Sequence, residues 1–207
     1  MKTLGLDEAG RGCVLGPLVI GGFLAPSSDA DLLRSAGADD SKRLSHKRRI
    51  AAQAHLLRLG MPILRTITPS QIDAGNINHL EEAAFIDIIV TTRPDQVIID
   101  APCNPRAIPA LTVRLADRLR AANCPVPTFI IQPKADATFP HCGAASIFAK
   151  VARDAAIREL GEVGSGYPSD PITRAWLSAF IERGEAFPDC VRTRWGTIDA
   201  LRQQVLF

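Results

Sequence analysis

Five short apolar segments alternate with longer segments of helical periodicity, and no other feature constrains the fold of this chain as strongly. The apolar segments, which predict strands, cover residues 3–6, 18–24, 62–68, 96–100 and 128–132. The helical segments cover residues 45–59, 78–91, 106–122, 144–160, 170–183 and 197–206. A glycine-rich turn joins the first two strands as a hairpin, and the later strands alternate with helices. This order predicts an α/β fold with a mixed sheet.

The size and composition predict one soluble domain. The 207 residues fit a single domain, 1–207, in which the helices from about residue 165 onward form an extension packed on the core. A net charge of +2 neither indicates nor excludes a nucleic-acid partner, because a local basic patch matters more than the sum. The five cysteines form no C-x-x-C pair, which suits reduced thiols in the cytoplasm. We expect no membrane association, because neither a signal peptide nor an apolar span of roughly 20 residues is found.

Three of the five predicted strands end in carboxylates. Asp7 and Glu8 follow the first strand, Asp100 closes the fourth, and Asp136 lies just beyond the fifth. Open α/β sheets bind ligands beyond the carboxyl ends of their strands. If these strands are neighbours in the sheet, the four acids converge on one site.

Four clustered carboxylates would repel one another unless cations lay between them. Hard oxygen ligands favour Mg²⁺ or Mn²⁺ over zinc, and two such ions about 4 Å apart stabilise the attacking and leaving oxygens of phosphoryl displacement. Each acid taken alone could equally cap a helix or face solvent. Their recurrence at three strand ends favours the metal site.

Two further segments contain candidate phosphate-binding residues. Gly10 and Gly12 would let backbone amides approach a ligand, and Arg11 supplies a fork of donors, although a tight hairpin turn also explains the glycines. Ser41 and Lys42 begin a basic cluster that enters the next helix. Such a cluster contacts phosphates or forms a solvated helix face, and within it we single out Ser41 and Lys42.

Several motifs in one order resemble a known family. They are D-E-A-G-R-G-x-x-x-G-P from Asp7, D-S-K from Asp40, the acid-ended strand at Asp100, K-A-D from Lys134, A-A-S-I-x-A-K-V-x-R-D from Ala144 and G-S-G-Y-P-S-D from Gly164. Together they are similar to type 2 ribonuclease H, or ribonuclease HII, over most of the chain. The run D-A-P-C-N-P and the stretch 190–197 resemble archaeal members more than bacterial ones.

The resemblance implies a ribonuclease H-like fold, with a mixed five-stranded sheet flanked by helices and a helical carboxyl-terminal region. It implies a metal-dependent endonuclease that hydrolyses the RNA strand of RNA/DNA hybrids. Such an enzyme also cuts 5′ of ribonucleotides embedded in duplex DNA, as in ribonucleotide excision repair, and leaves 5′-phosphate and 3′-hydroxyl ends. The family's catalytic acids, which hold Mg²⁺ or Mn²⁺, correspond to Asp7, Glu8, Asp100 and Asp136.

The same resemblance implies roles for residues that bind the substrate. The turn of Gly10, Arg11 and Gly12 would read the 2′-hydroxyl and the phosphate at the ribonucleotide. Tyr167, whose backbone is restricted by Pro168, would stack on the deoxyribose just 3′ of the cut. The alternative is a core tyrosine that braces its loop.

Two rival classes of protein remain open at this point. Another nuclease or a resolvase of the same fold would also use clustered acids and metal, whereas a non-catalytic nucleic-acid-binding protein could lose an acid. The presence of all four acids favours an enzyme, which we expect to be a monomer. The segment 203–207 faintly resembles the segment with which some archaeal relatives bind a sliding clamp, although packing of Leu206 and Phe207 on the core also explains it.

Overall fold

The computed structural model describes residues 1–38 and 44–205 of the chain. Ser41 and Lys42, which the sequence singles out as phosphate contacts, lie outside the described residues. The same holds for Leu206 and Phe207 at the carboxyl terminus.

Five strands form one mixed sheet, as predicted. They are β1 (Lys2–Ala9), β2 (Leu18–Pro26), β3 (Met61–Ile67), β4 (Gln96–Asp100) and β5 (Thr128–Gln132). Their order across the sheet is β3-β2-β1-β4-β5. β4 pairs in parallel with both β1 and β5, and the register sets Leu6 opposite Ile99 and Asp100 opposite Gln132. The carboxyl ends of these three strands therefore lie at one edge of the sheet.

The α-helices of the described residues include three that sequence periodicity did not predict. The helices are α1 (Ala30–Ser35), α2 (His46–Leu56), α3 (Pro69–Ala74), α4 (Ile77–Thr92), α5 (Ile108–Ala121), α6 (Ala135–Thr138), α7 (Pro140–Arg158), α8 (Pro171–Glu182) and α9 (Gly196–Val205). The missed helices, α1, α3 and α6, have at most 6 residues each, which is too short to show a period. α7 begins at Pro140, four residues before its predicted start, because proline fits the first turn of a helix.

Residue contacts divide the chain into two compact units. The first comprises Met1–Ala9, Ile20–Arg65 and Glu81–Val151, and the second comprises Gly10–Val19, Thr66–Leu80 and Ala152–Phe207. Most of the sheet belongs to the first unit, and α8 and α9 belong to the second. The single domain expected from the length stays a prediction.

In the first unit, α7 lies directly on the sheet. A Cβ atom at Gly5 of β1 would overlap the backbone of His141, and one at Gly21 of β2 would overlap the carbonyl oxygen of Ala145. Glycine is therefore the residue that admits this close approach of helix and strands. On the same helix, the ring of Phe148 stacks on Phe23 of β2 with centroids 5.8 Å apart.

The second unit has an apolar core of its own. Its fully buried side chains include Val14, Leu15, Val163, Leu177 and Ile198. Leu177 lies on the buried face of α8, whose first turn is capped by the Asp170 side chain. Among the described residues, no helix combines the length and the apolar character that crossing a membrane requires.

Candidate active site

Three carboxylates of the first unit lie together at the carboxyl edge of the sheet. Asp7 is on β1, Asp100 ends β4 and Asp136 is on α6. One carboxylate oxygen from each lies within 4.8 Å of the other two. The structure therefore brings together three of the four acids that the sequence predicts as metal ligands.

The turn after β5 directs Asp136 into this cluster. Lys134 adopts the left-handed conformation, with φ 59° and ψ 34°, which is uncommon for a residue with a Cβ atom. The chain reverses there into α6, which buries Asp136 to 1% exposure. The amide of Ala135 donates a hydrogen bond of 3.2 Å to Oδ1 of Asp100, so the same turn orients a second carboxylate.

Ser146 and Lys150 of α7 act on the buried carboxylate of Asp7. Burial raises the pKa of Asp7, whereas the Lys150 ammonium and a hydrogen bond from Ser146 lower this pKa. Lys150 in turn donates a hydrogen bond to the Ser146 hydroxyl, one helical turn away. These two residues therefore favour the ionised form of Asp7, which is the form that binds a cation.

Glu8, the fourth predicted ligand, is coupled to the cluster although it is not one of the three closest carboxylates. Its carboxyl group hydrogen-bonds Asp7. Burial raises the pKa of Glu8 well above its usual range, and the nearby carboxylates of Asp7, Glu81 and Asp100 raise it further. A divalent cation would relieve this repulsion, and an all-carboxylate donor set suits a hard ion such as Mg²⁺ or Mn²⁺.

The sequence reasoning did not identify Glu81, Ser146 or Lys150 as parts of the site. Glu81 and Glu82 lie on the apolar helix α4 and are only 1% and 5% exposed. Two adjacent acids within an apolar helical segment are the sequence signal that could have indicated their burial. Glu82 has a structural partner, because Arg114 Nη2 lies 2.7 Å from its Oε1. Glu81 instead lies near enough to Glu8 that its charge raises the pKa of Glu8.

In the second unit, a buried arginine holds the turn that follows β1. The Arg192 side chain is fully buried. It donates hydrogen bonds of 2.7 Å to the carbonyl of Gly10, 3.0 Å to that of Arg11 and 3.0 Å to that of Gly16. Burial lowers the pKa of Arg192 to about 10, so the guanidinium still carries its charge at neutral pH. From the sequence alone, the stretch 190–197 indicates only an archaeal lineage, and the role of Arg192 is not predicted.

The turn itself needs glycine at its first position. Gly10 has φ 86°, and a Cβ atom there would lie 2.7 Å from the carbonyl oxygen of Pro17. The Arg11 guanidinium donates to the side chain of Asn78, and the indole of Trp195 donates to the Cys13 carbonyl. The conformation of the turn is therefore set jointly by glycine and by hydrogen bonds from distant segments.

Tyr167 lies against this same turn. Its ring carbon Cε1 lies 4.0 Å from the position that a Cβ atom would take at Gly12, and its hydroxyl hydrogen-bonds the sulfur of Cys13. The Arg153 guanidinium lies over the ring, 5.1 Å from its centroid. Tyr167 remains 36% exposed, more than a core tyrosine would be. The structure thus brings Gly12 and Tyr167, two residues that the sequence predicts to bind substrate, into one surface.

The sheet order and the carboxylate cluster on β1, β4 and α6 define a ribonuclease H-like fold, the fold of a class of metal-dependent nucleases. The family model described as Ribonuclease HII matches residues 4–198, and the chain belongs to this family. It therefore has the activity of a ribonuclease H, an endonuclease that acts on RNA/DNA hybrids.

Individual relatives match nearly the whole chain. Ribonuclease HII of Methanothermobacter thermautotrophicus is 37% identical over 98% of this chain and 100% of its own length, and that of Hyperthermus butylicus is 40% identical over 95% and 82%. The crystal structure of ribonuclease H2 from Pyrococcus horikoshii OT3 superposes with a TM-score of 0.85, at 36% identity, over 99% of this chain and 98% of that one. These relatives are archaeal, as the run D-A-P-C-N-P and the stretch 190–197 predict.

Proposed function

We propose that Asp7, Glu8, Asp100 and Asp136 hold two divalent cations, Mg²⁺ or Mn²⁺, and that the enzyme cuts 5′ of single ribonucleotides in duplex DNA as well as within hybrids. The cluster of three carboxylates within 4.8 Å of one another, of which Asp7 and Asp136 are buried, is the observation that supports this most strongly. The bound ions would activate the attacking water and stabilise the leaving oxygen.

The protein's own groups would prepare the site for these ions. Lys150 and Ser146 favour the ionised form of Asp7, and the Ala135 amide orients Asp100. Each of these groups is fixed on a helix or at a strand end, so little rearrangement would accompany the reaction. The cleavage would leave a 5′-phosphate and a 3′-hydroxyl.

Substrate selection would depend on the turn and on Tyr167. The turn of Gly10, Arg11 and Gly12 would hydrogen-bond the 2′-hydroxyl, which distinguishes RNA from DNA at a given site. The exposed face of the Tyr167 ring would stack on the deoxyribose that follows the ribonucleotide on its 3′ side, where a second 2′-hydroxyl would crowd it. Ser41 and Lys42 would add phosphate contacts to this recognition.

The proposal also includes a protein partner, which is a sliding clamp, and a location, which is the cytoplasm. A structure of the Archaeoglobus fulgidus relative, which superposes on this chain with a TM-score of 0.83 at 36% identity over 97% of each chain, is described as a PCNA:RNase HII complex. The resemblance of the segment 203–207 to a clamp-binding segment supports the same partner here. All five cysteines are free thiols, which supports a reducing compartment, and the enzyme would act there as a monomer.

The proposal is tested with a DNA duplex that contains one ribonucleotide. Cleavage on its 5′ side, with the product ends mapped as 5′-phosphate and 3′-hydroxyl, is the expected result in Mg²⁺ or Mn²⁺. Ca²⁺ should bind but support little cleavage, because its larger and looser coordination shell holds the reacting oxygens less well. An intact duplex in both active metals would refute the proposal.

Modified sugars and other nucleic acids separate this function from its rivals. A 2′-O-methyl or 2′-fluoro group on the ribonucleotide itself, whose 5′ phosphate is the scissile one, removes the hydrogen-bond donor, so cutting there should fall sharply. All-DNA and branched DNA duplexes should remain uncut. Cleavage of branched DNA at a rate similar to that of the hybrid would instead indicate a resolvase-like activity.

A further inference from the structure

We propose that Arg153 is a positioning residue that fixes Tyr167 against the Gly10–Cys13 turn and thereby sets the preference for a single ribonucleotide over a continuous hybrid. The inference rests on the function proposed above, because it assigns Tyr167 its role at the junction. It adds a residue that contacts both recognition elements of the second unit, the Gly10–Cys13 turn and Tyr167.

Arg153 holds the loop of Tyr167 in two ways. Its guanidinium lies 5.1 Å from the centroid of the Tyr167 ring, within the range of a cation–π contact. Its Nη1 donates a hydrogen bond of 3.0 Å to the carbonyl of Ser165, two residues earlier. The side chain and the backbone of the loop therefore share one partner, which limits rotation of the ring.

The same side chain contacts the turn. Nη1 lies 3.8 Å from the sulfur of Cys13, the atom that the Tyr167 hydroxyl also contacts. The aliphatic stem passes beside Gly10, since a Cβ atom there would lie 3.0 Å from Cγ of Arg153. Arg153 thus touches the turn that would read the ribose and the ring that would stack 3′ of it.

The two terminal nitrogens of Arg153, Nη1 and Nη2, both have partners within the protein. Nη2 lies 3.0 Å from Oδ1 of Asp154, Nη1 bonds Ser165, and the side chain is only 12% exposed. A phosphate that approached these nitrogens would compete with the bonds that hold the loop of Tyr167. Arg158, near the end of the same helix, is exposed and makes none of these contacts, so it provides a matched control.

The experiment is a double-mutant cycle on two substrates. Arg153→Met keeps the stem beside Gly10 but removes the charge and the donors, and Tyr167→Ala removes the ring. On a duplex with one ribonucleotide, we expect each variant to lose about 10- to 100-fold in kcat/KM, the range of one stacking contact, and much less on a continuous hybrid. The double variant should lose no more than Tyr167→Ala alone, because Arg153 acts through Tyr167. Arg158→Met should match the wild type.

A spectroscopic measurement follows the ring directly. Tyr167 is the only tyrosine, so protein labelled with ¹³C in the tyrosine ring gives one set of ring signals. Arg153→Met should move these signals in the free protein, and Arg158→Met should not. Arg153→Lys, which keeps the charge without the planar fork, should give intermediate cleavage and replaces Arg153→Met if the latter does not fold.

The outcomes separate the inference from the proposed function. Losses that multiply in the double variant, or ring signals that stay unmoved in Arg153→Met, would overturn the role of Arg153 while cleavage of the junction stands. Failure of the wild type to cut the single-ribonucleotide duplex would refute the proposed function instead. In that case the ring signals still decide whether Arg153 positions Tyr167.

Discussion

Arg192 donates a hydrogen bond of 2.7 Å from Nη2 to the carbonyl oxygen of Gly10, which precedes it by 182 positions in the sequence. The remaining nitrogens of its guanidinium bind the carbonyls of Arg11 and Gly16. One side chain near the carboxyl terminus therefore binds three carbonyls in a segment near the amino terminus. The glycines allow the backbone dihedral angles of the turn, and the hydrogen bonds from Arg192 stabilise that conformation.

Replacement of Arg192 with methionine is expected to lower the free energy of unfolding by about 3 kcal/mol, because buried carbonyls lose their donors. Arg194→Met, two residues further on and exposed, is the matched control and should cost less than about 1 kcal/mol. Urea denaturation monitored by circular dichroism measures both values. Equal costs for the two variants would show that the bonds to the turn contribute little.

Asp136→Asn is expected to reduce hydrolysis of an RNA/DNA hybrid to near background without unfolding the protein. The amide keeps the shape of the side chain but removes the charge that would bind the cation. Addition of Mg²⁺ should raise the melting temperature of the wild type and leave that of the variant unchanged. Asp117→Asn, on the exposed face of α5, should retain full activity. Near-normal turnover by Asp136→Asn would exclude this carboxylate from the metal site.

Without metal, the stability of the protein should fall as the pH rises through the raised pKa of Glu8. Above about pH 4 the unfolded chain loses this proton, whereas the folded protein keeps it because burial and the Asp7 carboxylate raise the pKa. In this range the folded state binds more protons than the unfolded chain. The contribution of Glu8 to the free energy of unfolding is therefore fully present at low pH and is lost as the pH increases. The substitution Glu8→Gln removes this pH-dependent contribution.

Thermal denaturation in a chelator between pH 4.5 and 8 tests this dependence. The melting temperature of the wild type should decrease more steeply with pH than that of Glu8→Gln. Parallel pH profiles for the two proteins would mean that Glu8 does not titrate in this range. With saturating Mg²⁺ the difference should shrink, since the cation replaces the proton.

Tyr167→Phe should retain most cleavage at a single ribonucleotide, because stacking requires the ring and not the hydroxyl. Tyr167→Ala should lose far more on that substrate than on a continuous hybrid, and the stacking contact is worth about 1–3 kcal/mol by analogy with base–aromatic contacts. Initial rates on the two duplexes measure the ratio. Equal losses on both duplexes with a lower melting temperature would indicate a residue that only braces its loop.

The acids of the site could be predicted from sequence because each follows a recognisable strand. Asp7 lies two residues before the end of β1, and Asp100 ends the neighbouring parallel strand β4, so the topology alone brings them together. Asp136 follows Lys134, whose left-handed backbone conformation no hydrophobic periodicity indicates. The K-A-D motif nevertheless identified Asp136 as a candidate ligand. Local pattern and motif order were sufficient for these residues.

The residues that support the site could not be found in this way. Glu81 and Arg192 are recognised by their partners, and those partners are distant in sequence. A buried acid on α4 has the same local sequence pattern as an exposed one until its electrostatic interaction with Glu8 is known. The short helices were missed for a different reason, although the capping box of Thr68 and Gln71 was a readable signal for α3.

The contact of α7 with Gly5 and Gly21 has a thermodynamic consequence for cation binding. Backbone touches backbone there, so no side chain can change rotamer to let the helix move relative to β1. The ammonium of Lys150 and the carboxylate of Asp7 consequently belong to one stiff frame, and their electrostatic potential is set before a cation arrives. Association with Mg²⁺ should then involve release of water and protons but almost no loss of chain entropy. Its heat-capacity change should therefore lack the large negative contribution that apolar burial gives when binding is coupled to folding.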